Sequence, residues 1–250
     1  MTGCNDSPHI ENSLNSESAL THLDFEGKRI GVISGMVTSA ITKDDINGTA
    51  VFYTSTEAGI RDLHNRRIEG FMIDLSIARF IANQPGNENL QVIVIPPEIY
   101  TGPLGAISND PEMIERFNIF LAKIEADGTL TDMQNRWLKD DPDPIMPSFS
   151  LSDQNVVIKV ATGDESQPFS YRDENGDLKG YSNELAMRFA QHEGVDIEFI
   201  ITKFQDLIPS AADGDVDIGF DAITITEARK ERIHFTDPFY EDLMGIIALR

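Results

Sequence analysis

Phe220-Asp-Ala-Ile-Thr-Ile-Thr-Glu-Ala-Arg-Lys-Glu-Arg-Ile-His-Phe-Thr-Asp-Pro-Phe-Tyr240 reads as a buried strand that runs into a short turn and opens a helix. Thr224, Thr226 and Arg229 group where the strand stops. Thr226 has the character of a helix N-cap, with Glu227 in the first turn. This arrangement gathers free backbone N–H groups, a hydroxyl and a guanidinium around one point, which suits a small carboxylate. The arginine reads equally as the partner of a surface acid.

Outward from this stretch, strand and helix patterns alternate. Before it lie a strand at Val156–Ala161, a helix over about Ser182–Gln191, a strand at Asp196–Ile201, a helix at Phe204–Ala212 and a strand at Val216–Phe220. After it comes an extended run at Met244–Leu249. The first half repeats the rhythm: strands at Lys28–Ile33, Ala50–Tyr53, Glu69–Ile73 and Leu90–Ile95, with helices at Thr56–Asn65 and Ser76–Asn83. Asp110-Pro111 caps and starts a helix carrying Ile114, Phe117, Phe120, Leu121 and Ile124, and Gly128 separates it from a second one carrying Leu130, Met133 and Trp137. Asp140–Pro147, with three prolines among acids, reads as a linker. The pattern predicts an α/β chain with two units, each a mixed, mainly parallel sheet flanked by helices.

A chain of 250 residues has length for one large or two modest domains. The net charge of −22, with no basic stripe to displace counterions, argues against binding to a nucleic-acid backbone. No run approaches the ~20 apolar residues of a membrane span. The single cysteine excludes an internal disulfide, and the five histidines lack metal spacing, so neither a metal nor another cofactor is expected.

The quoted stretch resembles the signature of the family 3 extracellular solute-binding proteins, the polar amino-acid receptors of ABC transporters. Further landmarks are Pro168-Phe169, Gly176-Asp-Leu-Lys-Gly-Tyr181, Leu207-Ile-Pro209, Phe25-Glu-Gly-Lys-Arg-Ile-Gly-Val-Ile-Ser-Gly35 and Arg67–Asp74. The resemblance implies a two-lobed, type II periplasmic-binding-protein-like fold. The family's opening half resembles Val156–Arg250 and its later half Leu23–Pro142, so the halves stand in circularly permuted order. A fragment of a tandem receptor, or a swapped dimer in place of a monomer, is an alternative. The expected boundaries are a tether at 1–22, one lobe at 23–101, a hinge at 102–107 and 245–250, and the other lobe at 108–244, including a linker at 140–154. Met1-Thr2-Gly3-Cys4 looks like the end of a bacterial lipobox, which implies a lipid on Cys4 and an extracytoplasmic, membrane-anchored protein.

The resemblance also implies the site. Arg229 would grip the α-carboxylate of a free amino acid, with the Thr224 hydroxyl and the Ala222 and Thr224 backbone beside it. Asp74 would accept from the α-ammonium, Phe204 would stack on the side chain, and the Ser34-Gly35-Met36 turn would offer N–H donors from the opposite lobe. Asp74 reads equally as a helix N-cap, Phe204 as core and Ser34-Gly35 as a plain turn. The loop Thr162–Gln167 departs from the family: Gly163 stands where many relatives carry an acid, and Ser166 where they carry an aromatic. Asp164 and Glu165 there would favour a cationic side chain or would be merely solvated. The implied activity is receptor binding and delivery to an ABC permease, without catalytic residues. Sensing, a degenerate receptor and the dehydration chemistry of some relatives are the competing readings.

Overall fold

The computed structural model describes residues 20–139, 144–149 and 156–250. Cys4, most of the 1–22 tether and most of the 140–154 linker lie outside the described residues.

The first half contains β1 (Arg29–Ile33), α1 (Thr38–Ala40), β2 (Thr49–Tyr53), α2 (Thr56–His64), β3 (Gly70–Asp74), α3 (Leu75–Ala82), β4 (Leu90–Val94), β5 (Gly102–Leu104) and β6 (Ile107–Ser108). Helices α4 (Pro111–Ala126) and α5 (Thr129–Leu138) follow. The second half contains β7 (Val157–Thr162), β8 (Glu165–Ser166), β9 (Ser170–Arg172), β10 (Leu178–Lys179), α6 (Tyr181–Glu193), β11 (Asp196–Ile201), α7 (Phe204–Ala212) and β12 (Ile218–Gly219). It ends with α8 (Glu227–Lys230), β13 (His234–Phe235), β14 (Tyr240–Asp242) and β15 (Met244–Leu249).

Two five-stranded sheets form, in the orders β2-β1-β3-β15-β4 and β11-β7-β12-β6-β13. In the first, β1 runs parallel to β2 and β3, while β15 is antiparallel to β3 and β4. In the second, β7 runs parallel to β11 and β12, while β6 is antiparallel to β12 and β13. Each sheet thus takes its antiparallel strand from a segment that has just crossed from the other. The crossings pair with each other as the ribbon β5–β14, Gly102 opposite Asp242 and Leu104 opposite Tyr240. Strand β15, which holds residues 245–249 of the segment expected as hinge, takes an interior position of the first sheet. Its unbroken apolar run is buried from Met244 to Ala248, as a strand covered on both faces requires.

Local sequence explains the packing around these sheets. Strand β3 is buried at all its positions, and α2 approaches it closely because Gly59 has no side chain. A Cβ there would stand 2.0 Å from the Phe71 ring. Helix α4 starts where Asp110 accepts from the Glu112 amide at 2.9 Å, and its apolar stripe faces the second sheet. Phe117 stacks at 5.1 Å from Phe189 of α6 and 5.4 Å from Phe220 at the end of β12. This cluster fixes the base from which the 221–229 segment departs. Strand β12 is shorter than expected because the chain turns at Phe220 toward the ribbon.

Candidate functional site

Beyond Phe220 the chain is stitched to β5. The Gly105 amide donates to the Ile223 carbonyl, the Ile225 amide donates to the Pro103 carbonyl at 2.7 Å, and Thr224 bridges Leu104. Thr226 then caps α8, its hydroxyl accepting from the Arg229 amide at 3.2 Å. These bonds aim Arg229 back between the sheets. Its Nη1 donates to the Thr224 carbonyl at 2.6 Å, and its Nη2 reaches across to the Gly35 carbonyl at 2.7 Å. The guanidinium carbon lies 5.8 Å from the centre of the Phe204 ring, a cation–π contact. Burial lowers the Arg229 pKa, and Tyr100 and Asp74 oppose that effect.

Asp74 ends β3 at the N-cap position of α3, yet its side chain makes no cap bond. Asp242 of the ribbon takes that role: its Oδ2 accepts from the Ser76 amide at 3.2 Å and its Oδ1 from the Leu243 amide at 2.8 Å. Asp74 is left fully buried, with neither carboxylate oxygen hydrogen-bonded. Burial, together with the nearby Asp242, pushes its pKa well above the usual carboxylate range, and Arg229 opposes this. A buried acid without a partner is expensive unless it is protonated or meets a cation.

Between the sheets lies a cavity of about 400 Å³. Ile33, Met36, Thr54 and Ile73 line it on one side; Gly163–Ser166, Ile201–Phe204, Asp221 and Ala222 line the other. Of the residues singled out in the sequence, Met36, Gly163, Asp164, Glu165, Ser166, Phe204 and Ala222 line this space. Gly35, Phe204 and Arg229 line a second, smaller space of about 30 Å³. Asp74, Thr224 and Ser34 line neither. Tyr100 and Asp74 nevertheless lie close enough to Arg229 to feel its charge.

The Ser34–Met36 turn has a polarity different from the expected one. The Ser34 amide donates to the Tyr53 carbonyl and the Met36 amide to the Ile33 carbonyl. What the turn presents across the gap is the Gly35 carbonyl, an acceptor for Arg229. Gly35 has φ +87°, and a Cβ on it would meet the Gln205 backbone of α7 at 3.0 Å, so glycine permits both the turn and the close approach.

Sequence reasoning passed over Asp221, although it stands in the quoted stretch. It is 1% exposed, its Oδ1 accepts from the Ala222 amide at 2.8 Å, and its Oδ2 lies 3.4 Å from the Ser166 hydroxyl. Burial pushes its pKa up to about 7, against the Ala222 amide, the Ser166 hydroxyl and the Gly163 amide. Among the described residues, no group of three or more histidine, cysteine or acidic side chains could hold a metal ion, and no helix is long and apolar enough to cross a membrane.

Residues 158–250 match the family described as bacterial extracellular solute-binding proteins, family 3. The chain is 34% identical over 85 residues to a probable histidine-binding protein of Neisseria gonorrhoeae, covering 34% of this chain and 32% of that protein. It is 33% identical over 89 residues to a cyclohexadienyl dehydratase of Pseudomonas aeruginosa, covering 36% and 33%. A solved structure of an ancestral arginine-binding protein bound to arginine is 37% identical, with 34% of this chain and 37% of that chain covered and a TM-score of 0.33. The matched stretch spans about a third of the length of these curated relatives.

Proposed function

We propose that this chain, a family 3 extracellular solute-binding protein by its residues 158–250, is a receptor that clamps one free amino acid between its two sheets. The observation that carries this reading is Asp74, a buried carboxylate lacking a hydrogen bond, set within electrostatic reach of the Arg229 guanidinium. A fixed cation and a fixed anion recognise a zwitterion and penalise a ligand lacking either charge. The Arg229 bond to Gly35 and the fully buried Asp74 describe a closed arrangement. An entering carboxylate would take over the Nη2 donor from the Gly35 carbonyl, and an α-ammonium would restore a charge partner to Asp74. A micromolar receptor needs about −8 kcal/mol, within reach of several charge-assisted bonds of roughly 1.5–3 kcal/mol each.

Delivery to an ABC permease, an extracytoplasmic location and a lipid on Cys4 are the finer parts of the proposal. So are the circularly permuted order and the lobe boundaries at 23–101 and 108–244. The amino-acid-binding relatives support an amino acid as ligand, and the dehydratase among the matches makes unchanged recovery of the ligand part of the test. Thermal-shift screening of the twenty amino acids should give a rise in Tm with at least one, and the bound compound should come back chemically intact. Arg229→Ala should weaken that ligand by about 2–5 kcal/mol in calorimetry. A response to none of the twenty, or an unaltered affinity in Arg229→Ala, refutes the clamp.

A further inference from the structure

We propose that Asp221 forms a side-chain subsite that selects an amino acid with a cationic side chain. The inference rests on the amino-acid clamp described above and adds to it the class of ligand.

Asp221 is on the wall of the large cavity but belongs to no ion pair among the described residues. The groups that meet its carboxylate are neutral: the Ala222 amide and the Ser166 hydroxyl, with the Gly163 amide beside them. Opposite the carboxylate stands Gly163: a Cβ on it would come within 2.5 Å of Asp221 Oδ2, so any other residue there would displace the acid. The missing side chain at 163 is therefore the space that Asp221 occupies. Three acids, Asp164, Glu165 and Asp221, line the cavity against a single cation, Lys203, which is exposed. Asp164 is engaged by Arg172 Nε at 3.1 Å, leaving Asp221 as the buried acid on this wall without a cation.

The charges also act on one another. Arg229 feels Asp74 and Tyr100, which provides for the two charges of an amino-acid head group. Asp221 feels Asp164 and is in turn felt by Asp74, so this acid adjoins the head-group charges on the side of the Gly163–Ser166 loop. Burial disfavours the charge on this carboxylate, so an ammonium or guanidinium on the ligand gains an ion pair sheltered from water. A neutral side chain of equal length offers Asp221 no such pair.

The test compares arginine with citrulline and lysine with norleucine by calorimetry on the full chain at pH 7.5. Wild type should prefer the cationic member of each pair by ~10-fold or more, and Asp221→Asn should collapse that preference to within ~2-fold, as loss of a partly buried charge pair requires. Gly163→Ala, which crowds the carboxylate without removing it, should reduce the same ratio. Binding of neutral amino acids with no cationic preference overturns the subsite and leaves the clamp standing. Equal weakening of both members by Asp221→Asn also overturns it, because the acid would then serve the head group. Binding of no amino acid removes the clamp and the subsite together.

Discussion

Raising the pH from about 4 to 8 should destabilise the unliganded protein, with Asp221 setting much of the slope. Its pKa moves from the ordinary 3.8 to about 7 on folding because burial penalises the charged form. The folded state therefore holds this proton more tightly than the unfolded chain does. Stability from the group is fully present below the unfolded value and is lost as pH rises through the folded one. A displacement of roughly 3 pH units corresponds to about 4 kcal/mol at most. Asp74 and Asp242, whose pKa values burial also raises, act in the same direction. Glu69, Asp173 and Glu184 have lowered values, so their stabilisation is lost only on acidification below about pH 4.5 and does not mask the effect at higher pH. Urea unfolding at half-unit steps between pH 5 and 8 should show a falling midpoint in wild type and a flatter profile in Asp221→Asn. A wild-type midpoint that stays level or rises, or a variant with the wild-type slope, would refute the reasoning.

Two further substitutions test the packing that holds the site. Gly59→Ala should destabilise by about 1–3 kcal/mol in chemical denaturation, because the new methyl would overlap Phe71; a stabilised variant, the usual result of Gly→Ala inside a helix, would contradict the close approach of α2. Glu184 is fully buried and accepts from Arg136, Trp137 Nε1 and Arg188, tying α5 to α6. Glu184→Ala should lower stability by about 2–4 kcal/mol, somewhat below the usual loss from breaking a buried pair because both arginines reach solvent, and an unchanged urea midpoint would count against that role.

Elements whose signals are local were legible in the sequence. Helix α4 announced itself through Asp110-Pro111 and a stripe of apolar residues at helical spacing, and α7 spans Phe204–Ala212 as the pattern required. Thr226 was readable as a cap because the cap is a contact between near neighbours. The helical segment from Thr38 to Asp45 was not, since its threonines and isoleucine are weak helix formers; it is held by burying Thr38, Ile41 and Thr42. At the site, Arg229, Ala222 and Phe204 were visible because each belongs to a recognisable local run. Asp221 acquires its meaning only from Gly163 and Ser166 on a distant loop. Asp74 carried two readings, ammonium acceptor and helix N-cap. Its sequence context suits an N-cap, but the ribbon brings Asp242 to that helix end, and the nearer acid is released from capping.

The same ribbon bears on the order of the halves. Strand β5 leads into β6, which joins the second sheet, and β14 leads into β15, which joins the first. The elements therefore form a cycle in which each sheet supplies four strands and receives one. Starting the chain at a different point of such a cycle changes which segment is synthesised first but leaves the pairings of both sheets as they are. A permuted order is thus compatible with an unaltered inter-sheet site, because Arg229 and Asp221 depend on β12 and the ribbon, while Asp74 depends on β3 and β15. The crossing strands are in turn structural and not mere tethers. Without β15, β3 and β4 would lose the partner between them, and without β6, β12 and β13 would lose theirs. The short ribbon and the turns beside it carry the connections between the two sheets, where Asp242 caps α3 and Thr224 bridges Leu104. Bending there would disturb the surroundings of Asp74 and Arg229 together, the two charges on which the proposed clamp depends.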